Sequence, residues 1–416
     1  MSPLSLYLKE CARRGEAALN RRAPLGPDLD LGRYHEPPTG EKEFPGLDDP
    51  LLCEAALSAG MDLSEEHRGG TYVQVNHSVL RRSVREGCKG QVEILPVAEA
   101  LARDPRAEEY WWRAAAADSD KYTAYTALRP PKGYFIRILP GCRVDLPLQS
   151  CLVLAAEGGV QDVHNIIIAE EGSTAQVITG CAVHPSTGKG LHLGVSEFYI
   201  GRGASLTFTM IHNWSGGVDV RPRSAAVVED GGTFVSNYVL MRPVHSLQMY
   251  PVTTLRGARS RSRFQVIVMG TEDSLIDIGC RSVLEGEGCS SETFSRSIAR
   301  DHSSVIARGQ LVARTDDCRA HLECRGMIAS RDARLRAVPE LDAEGVPRAD
   351  LSHEAAISPI AEEEIAYLMS RGMSREEALS VITRGFLNVG LMGLPPALQG
   401  SIEKLIAATP AEDSRL

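Results

Sequence analysis

Between residues 133 and 338 short apolar runs alternate with small polar clusters. HNIIIA, AQVITGC, SLTFTMIH, TFVSNYVL, RFQVIVM and SVIARGQLVA are rich in β-branched and aromatic residues, which suit a pleated strand. Turn clusters fall near Gly172, Gly203, Gly231 and Gly257, spaced 31, 28 and 26 residues apart. They then fall at Glu272, Gly288, His302, Asp316 and Asp332, spaced 14 to 16 apart. A quasi-regular beat of strands and Gly/Asp turns is the mark of a solenoid. A β-sandwich also has short strands and turns. The halved period favours the solenoid, because one or two coils between strong turns gives both spacings. No helical pattern of 10–15 residues interrupts the region, which argues against a doubly wound α/β sheet.

The flanks have a different texture. Residues 4–19 have helical spacing and are rich in Ala, Leu, Glu and Arg. Residues 24–49 are rich in Pro, Gly and Asp and read as an irregular connector. Residues 97–117, ending in YWWRAAAA, are expected to be helical, with Trp111 and Trp112 packed between this region and its neighbour. After Pro359, a helix is predicted over 361–371 with Gly372 at its C′ position. Ser374 and Glu377 form a capping box for a second helix, EEALSVITRGFL, and a third is predicted over 396–408. Ile365, Leu368, Met369, Leu379, Ile382 and Phe386 recur at helical spacing. They either pack on the end of the solenoid or present an apolar face to a partner. The expected organisation is a mostly helical segment over 1–130, a β core over 131–340 and a helical segment over 341–416.

Composition narrows the function. The 416 residues carry a net charge of −9, so a nucleic-acid partner, which needs a basic footprint, is not expected. No run of about 18 apolar residues is present to span a bilayer, and the N-terminal residues lack the pattern of a signal peptide. Ten cysteines without an export signal point to reduced thiols in a cytoplasm. None form a CxxC pair, so neither a preformed zinc site nor a ferredoxin-type cluster is expected. With 5% aromatic residues, the chain offers few stacking platforms to a carbohydrate.

Motifs of intrinsic catalysis are missing. PSTGKGLH has GKG where a phosphate loop needs GK followed by Ser or Thr, so no nucleotide hydrolysis is expected. No GxSxG or HExxH occurs, and Gly201-Arg202-Gly203 lacks a third glycine and reads as a turn between strands. What remains is a set of metal-ligating types late in the chain: His321, Cys324, His353 and Glu354. Thiolate, imidazole and carboxylate together suit iron. His353 and Glu354 could equally cap or pair near the helix that follows.

LSHEAAISPIAEEEIAYLMSRGMSREEALSVITRGFL resembles the C-terminal signature of the SufB/SufD family. CAVHPSTGKGLHLGVSEFYIGRGASLTFTMIHNWS and VHNIIIAEEGSTAQVITGC resemble its central strands, and the similarity runs over about residues 110–408. The resemblance implies a right-handed parallel β-helix between helical terminal domains. It implies an iron–sulfur cluster assembly scaffold, not an enzyme, carrying a transient cluster and iron. Implied partners are a SufC-type ABC ATPase bound through the C-terminal helices, a cysteine desulfurase or other sulfur donor, and a second copy or a SufB/SufD paralogue. Matched by position, Cys181 is implied as the sulfur acceptor, and Cys324 and Glu354, with His353 beside it, as the residues that hold the cluster. Trp214 matches the tryptophan of a QNW motif along a proposed sulfur route, and His212 stands where the family has glutamine. Retention of Cys181, Cys324 and Glu354 is SufB-like. The alternative is a SufD-like partner that completes the dimer and recruits the ATPase without carrying sulfur.

Overall fold

The computed structural model describes residues 3–37, 46–343, 345–346 and 348–387. Two long sheets face each other and are wound by one chain into a parallel β-solenoid of about 8 turns. The lumen-facing sheets meet along a continuous apolar core that includes Leu152, Val177, Phe208, Phe234, Phe264, Val268 and Leu322.

The beat in the sequence is now explained. One coil holds one strand from each sheet, and register runs Thr174↔Ser205, Ser205↔Thr233, Thr233↔Arg261, Arg261↔Ser290 and Ser290↔Arg319. The 28–31-residue period is therefore one coil, and the period near 15 is half a coil, not one coil against two. At one edge of the solenoid every coil turns through a left-handed residue: Gly141, Gly172, Gly203, Gly231, Arg259, Gly288 and Asp317, all with φ between 54° and 68°. Glycine adopts this conformation without the Cβ penalty that other residues incur. These residues also form a ladder. The backbone N–H of Gly141 donates to Glu171 O, that of Gly172 to Arg202 O, that of Gly203 to Asp230 O and that of Gly288 to Asp317 O, at 2.8–2.9 Å. Gly257 is not the left-handed member of its turn. It is glycine because a Cβ there would lie 1.9 Å from the backbone nitrogen of Asp230.

The N-terminal region is less helical than expected. Strands Gly70–Val75, Ser78–Val84 and Val92–Pro96 extend the two sheets, alongside helices Pro3–Ala18, Pro50–Ser58, Val97–Arg103 and Lys121–Ala127. The helix predicted over 97–117 stops at Arg103, before Pro105, and Trp112 has φ 54°. The amides of Trp112, Ala114 and Ala115 donate instead to the buried Glu197 carboxylate, at 2.7, 2.6 and 2.9 Å. Trp111 and Trp112 flank His164 of the first coil at 3.9 and 4.2 Å between ring centroids, so they pack between the two regions.

The β core does not end at 340. Strand Asp350–Pro359 pairs with Arg319–Ile328 in unbroken register and forms the last rung of its sheet. His353 and Glu354 therefore belong to the solenoid and cap no helix. Helices Glu362–Ser370 and Arg375–Leu387 follow. The capping box closes in both directions: Ser374 N–H donates to Glu377 Oε2 at 2.7 Å, and Glu377 N–H to Ser374 Oγ at 3.1 Å. Gly372 is left-handed. The helix predicted over 396–408 lies outside the described residues.

The apolar C-terminal positions divide. Leu387, Ile382 and Phe386 pack on Ile267, Ile298 and Met327 on the outside of the solenoid, and Ile365 is buried. Tyr367 and Met369 are exposed. Among the described residues no helix is long and apolar enough to cross a membrane.

Candidate functional site

Side chains alternate between lumen and exterior along every strand, so register fixes where each candidate points. On Thr174–Val183, Cys181 faces the lumen at 1% exposure. It pairs with Leu152 on one side and His212 on the other. Burial raises its thiol pKa well above the ordinary value, and neighbouring Cys151 adds to the effect. On Arg319–Ile328, Cys324 faces the same lumen at 2% exposure. Its thiol is pushed up to about 11, first by burial and then by Glu323, with Arg296 opposing.

The two cysteines stand in adjacent lumen columns. Cys181 continues through His212, Leu240, Val268 and Ser297 to Gly326, two residues beyond Cys324. Five coil steps of about 4.8 Å place them roughly 24 Å apart along the axis. Between them lies a cavity of about 30 Å³ lined by Met210, Tyr238, Val266 and Cys280, room for about two waters. Towards Cys324 the lumen changes character. Ser291, Thr293, Ser295 and Ser297 replace the large apolar residues of earlier coils, and Cys280 Sγ lies 3.5 Å from Thr293 Oγ1. Cys280, at a pKa of about 12 through burial, also feels the charge of Cys324. Sequence reasoning passed over Cys280, because nothing in its local motif separates it from an ordinary core cysteine.

The remaining candidates do not converge on Cys324. His353 pairs with Leu322 and so takes a lumen-side position on the last rung, exposed at the open end. Glu354 pairs with Glu323 and projects from the opposite face, where Arg325 holds it at 3.2 Å. The same outer face carries Arg296 bridging to Glu323, and Arg325 bridging to Glu323 at 2.9 Å. Among the described residues no three His, Cys, Asp or Glu side chains are grouped to hold a metal ion.

His212, the strand neighbour of Cys181, belongs to a cluster of buried polar side chains in the lumen. His192 stands on the facing wall of the same coil, at the start of Gly190–Ile200. Its Nδ1 meets Gln161 Oε1 at 2.9 Å. His212 Nδ1 meets the Tyr238 hydroxyl at 2.8 Å. The Trp214 ring lies 5.0 Å from His192 and 5.3 Å from His212. Burial lowers the pKa of His192 to about 3 and that of His212 well below the imidazole range, so both rings are neutral.

A family model described as "SUF system FeS cluster assembly, SufBD core domain" matches residues 152–386, from the first coils to the last described helix. The chain belongs to the SufBD family. An iron–sulfur cluster assembly SufBD family protein of Methanothermobacter thermautotrophicus (strain Winter) is 42% identical over 407 residues, covering 96% of this chain and 98% of its own length. One from Archaeoglobus fulgidus is 41% identical over 369 residues, covering 88% and 96%. The iron–sulfur cluster assembly protein SufB of Bacillus subtilis is 24% identical over 357 residues, covering 83% of this chain and 75% of its own. SufBD membership makes this an iron–sulfur cluster assembly protein.

Proposed function

We propose that this SufBD protein is the cytoplasmic scaffold itself, SufB-like, and an assembly platform rather than an enzyme. Sulfur enters on Cys181, and the nascent cluster, as cargo, forms at the Cys324 end of the lumen. The observation that carries this reading is that both thiols face one continuous lumen of a single solenoid, with a small cavity and a hydroxyl-lined stretch between them. A raised thiol pKa suits a sulfur shielded from oxidants until the interior opens. A SufC-type ATPase on the C-terminal helices would supply the energy for opening.

Since Glu354 turns away from Cys324 within one chain, a complete ligand set draws on a second copy across the end of the solenoid, where among the described residues no strand pairs beyond Asp350–Pro359. The same divergence favours one other reading, a SufD-like partner that completes a dimer with a paralogue and carries no cluster. Anaerobic reconstitution with iron and sulfide separates the two. Absorption bands of a cluster in the parent chain, lost in Cys324→Ser, support the scaffold. No cluster in the chain alone, with one appearing only beside a paralogue and insensitive to Cys324→Ser, supports the partner.

A further inference from the structure

On the outer face of the last coils a surface cavity of about 420 Å³ lies between the sheet and helix Arg375–Leu387. Arg263, Arg296, Arg325 and Glu323 line it, together with the rings of Phe294 and Phe386 and with Gly385. The three arginines stand on three successive strands, Arg261–Gly270, Ser290–Ala299 and Arg319–Ile328, which step by about 4.8 Å. Arg296 and Arg325 are direct register partners. Like charges so placed repel each other unless an anion lies between them. Both reach for one carboxylate oxygen, Glu323 Oε1, which Arg325 Nε meets at 2.9 Å. Arg296 and Glu323 are each 12% exposed. The other acids in reach belong to the rim. Glu292 meets Arg263 at 3.4 Å and Glu354 meets Arg325 at 3.2 Å, and both carboxylates are exposed to water. Exposed pairs of this kind contribute at most about 1 kcal/mol, so they yield readily to a ligand. Arg263 Nε is buried without a hydrogen-bond partner, and its guanidinium lies 4.8 Å from the Phe294 ring centroid. Inside the cavity three guanidinium groups thus face one carboxylate. The helix does not close the gap, because a Cβ on Gly385 would meet nothing within 4 Å.

We propose that this cavity binds the phosphate group of a small organic molecule, held by Arg263, Arg296 and Arg325, with the organic part against Phe294 and Phe386. The site lies outside the lumen and does not depend on the roles of Cys181 and Cys324. A phosphate monoester carries close to two negative charges and three acceptor oxygens. That matches the two cations in excess of Glu323 and the three guanidinium groups. Each planar guanidinium can offer a phosphate two parallel N–H donors. A single carboxylate has too few oxygens to engage all three arginines. Cavities of about 300–1,000 Å³ are the size that small molecules and cofactors use. Glu323 acts as a built-in competitor: it holds two of the guanidinium groups in position, and a phosphate displaces it.

The test is isothermal titration of the full chain, in a phosphate-free buffer of low ionic strength, with pyrophosphate, ADP and adenosine. Pyrophosphate and ADP are expected to bind at one site per chain, and adenosine far more weakly than ADP. Arg296→Gln is expected to weaken ADP binding about tenfold, through the lost charged hydrogen bonds. Glu323→Gln removes the competing carboxylate and is expected to tighten it about tenfold. Gly385→Leu fills the cavity without changing a charge and is expected to abolish binding. Melting curves accompany each titration, and Glu323→Gln and Gly385→Leu decide the matter if Arg296→Gln unfolds the chain. A ladder of ion pairs with a purely structural role gives no binding of pyrophosphate or ADP, or binding that neither Glu323→Gln nor Gly385→Leu shifts. Either result overturns the site, as does adenosine binding as tightly as ADP.

Discussion

Cys324 and Glu354 sit on neighbouring strands yet point to opposite faces of the sheet, because Cys324 pairs with Ala355 and Glu354 with Glu323. The thiol is enclosed and the carboxylate is at the surface with Arg325. Their substitutions should therefore separate. Glu354→Ala breaks an exposed ion pair and is expected to change stability by about 0–1 kcal/mol. Cys324→Ser places a hydroxyl in a lumen already rich in serine and is expected to cost less than about 2 kcal/mol. Chemical denaturation measures both, and cluster reconstitution then reads function without a folding defect. A Glu354→Ala loss above 3 kcal/mol would contradict its surface position.

Alkaline pH should unfold the protein early. The thiols of Cys151, Cys280 and Cys289 are raised to about 12 and that of Cys324 to about 11, each chiefly by burial. Unfolded cysteines titrate near 8.5. Below that pH both states hold these protons and the full stability is present. Above it the unfolded chain binds fewer protons than the native one, so stability falls as pH rises through 11–12. Melting temperature should decline steadily from pH 9 to 11, and Cys280→Ala should flatten the decline. A flat profile over that window would count against enclosed thiols.

Glu197 fastens the N-terminal region to the first coils. It accepts from three backbone amides and from the Tyr199 hydroxyl at 2.9 Å, and it meets His164 Nε2 at 2.7 Å. Glu197→Leu leaves those donors unsatisfied, with an expected loss of about 3–5 kcal/mol. Tryptophan fluorescence during denaturation, dominated by Trp111 and Trp112, should show this region releasing first. A coincident single transition with unchanged midpoint would refute the anchoring role.

On the proposed binding of a SufC-type ATPase to the C-terminal helices, the contact falls on the exposed Tyr367 and Met369 rather than on the buried Ile365. Tyr367→Asp with Met369→Asp is expected to abolish co-purification with the ATPase and leave melting unchanged. Ile365→Asp should lower melting instead. Retained co-purification of the double variant excludes this helix face.

Self-association through the open end is the last expectation. Ile357 lies on the terminal strand at 39% exposure. Ile357→Lys should shift a dimer to monomer in light scattering, since charge on an edge strand opposes strand addition. A parent chain that is monomeric at every concentration, alone and with the ATPase, refutes it.

The solenoid was legible because its signal is periodic. A left-handed residue recurs once per coil, and glycine occupies most of those positions. The helix ending at Arg103 was misread, because Ala-rich local propensity at 114–117 was overridden by the Glu197 carboxylate, 82–85 residues away in sequence. The terminal strand was missed because its rung is almost wholly exposed and places His353 and Ala355 between the lumen-side Leu351 and Ile357, which breaks the alternation of large apolar residues. Cys181 was singled out through family resemblance alone, whereas Cys324 also stood among the metal-ligating residue types late in the chain.

The ladder of turn residues makes the solenoid a ruler. Each coil adds one rung and one fixed increment, about 4.8 Å, so the separation of Cys181 and Cys324 is set by a count of coils rather than by loop length. Lengthening an exterior turn leaves the distance untouched. Excising one whole period, from Gly231 to Ala258 for example, would bring the two thiols one rung closer with the remaining register intact. In such a protein distance evolves in whole steps, and the position of a sulfur along the lumen is written in integers.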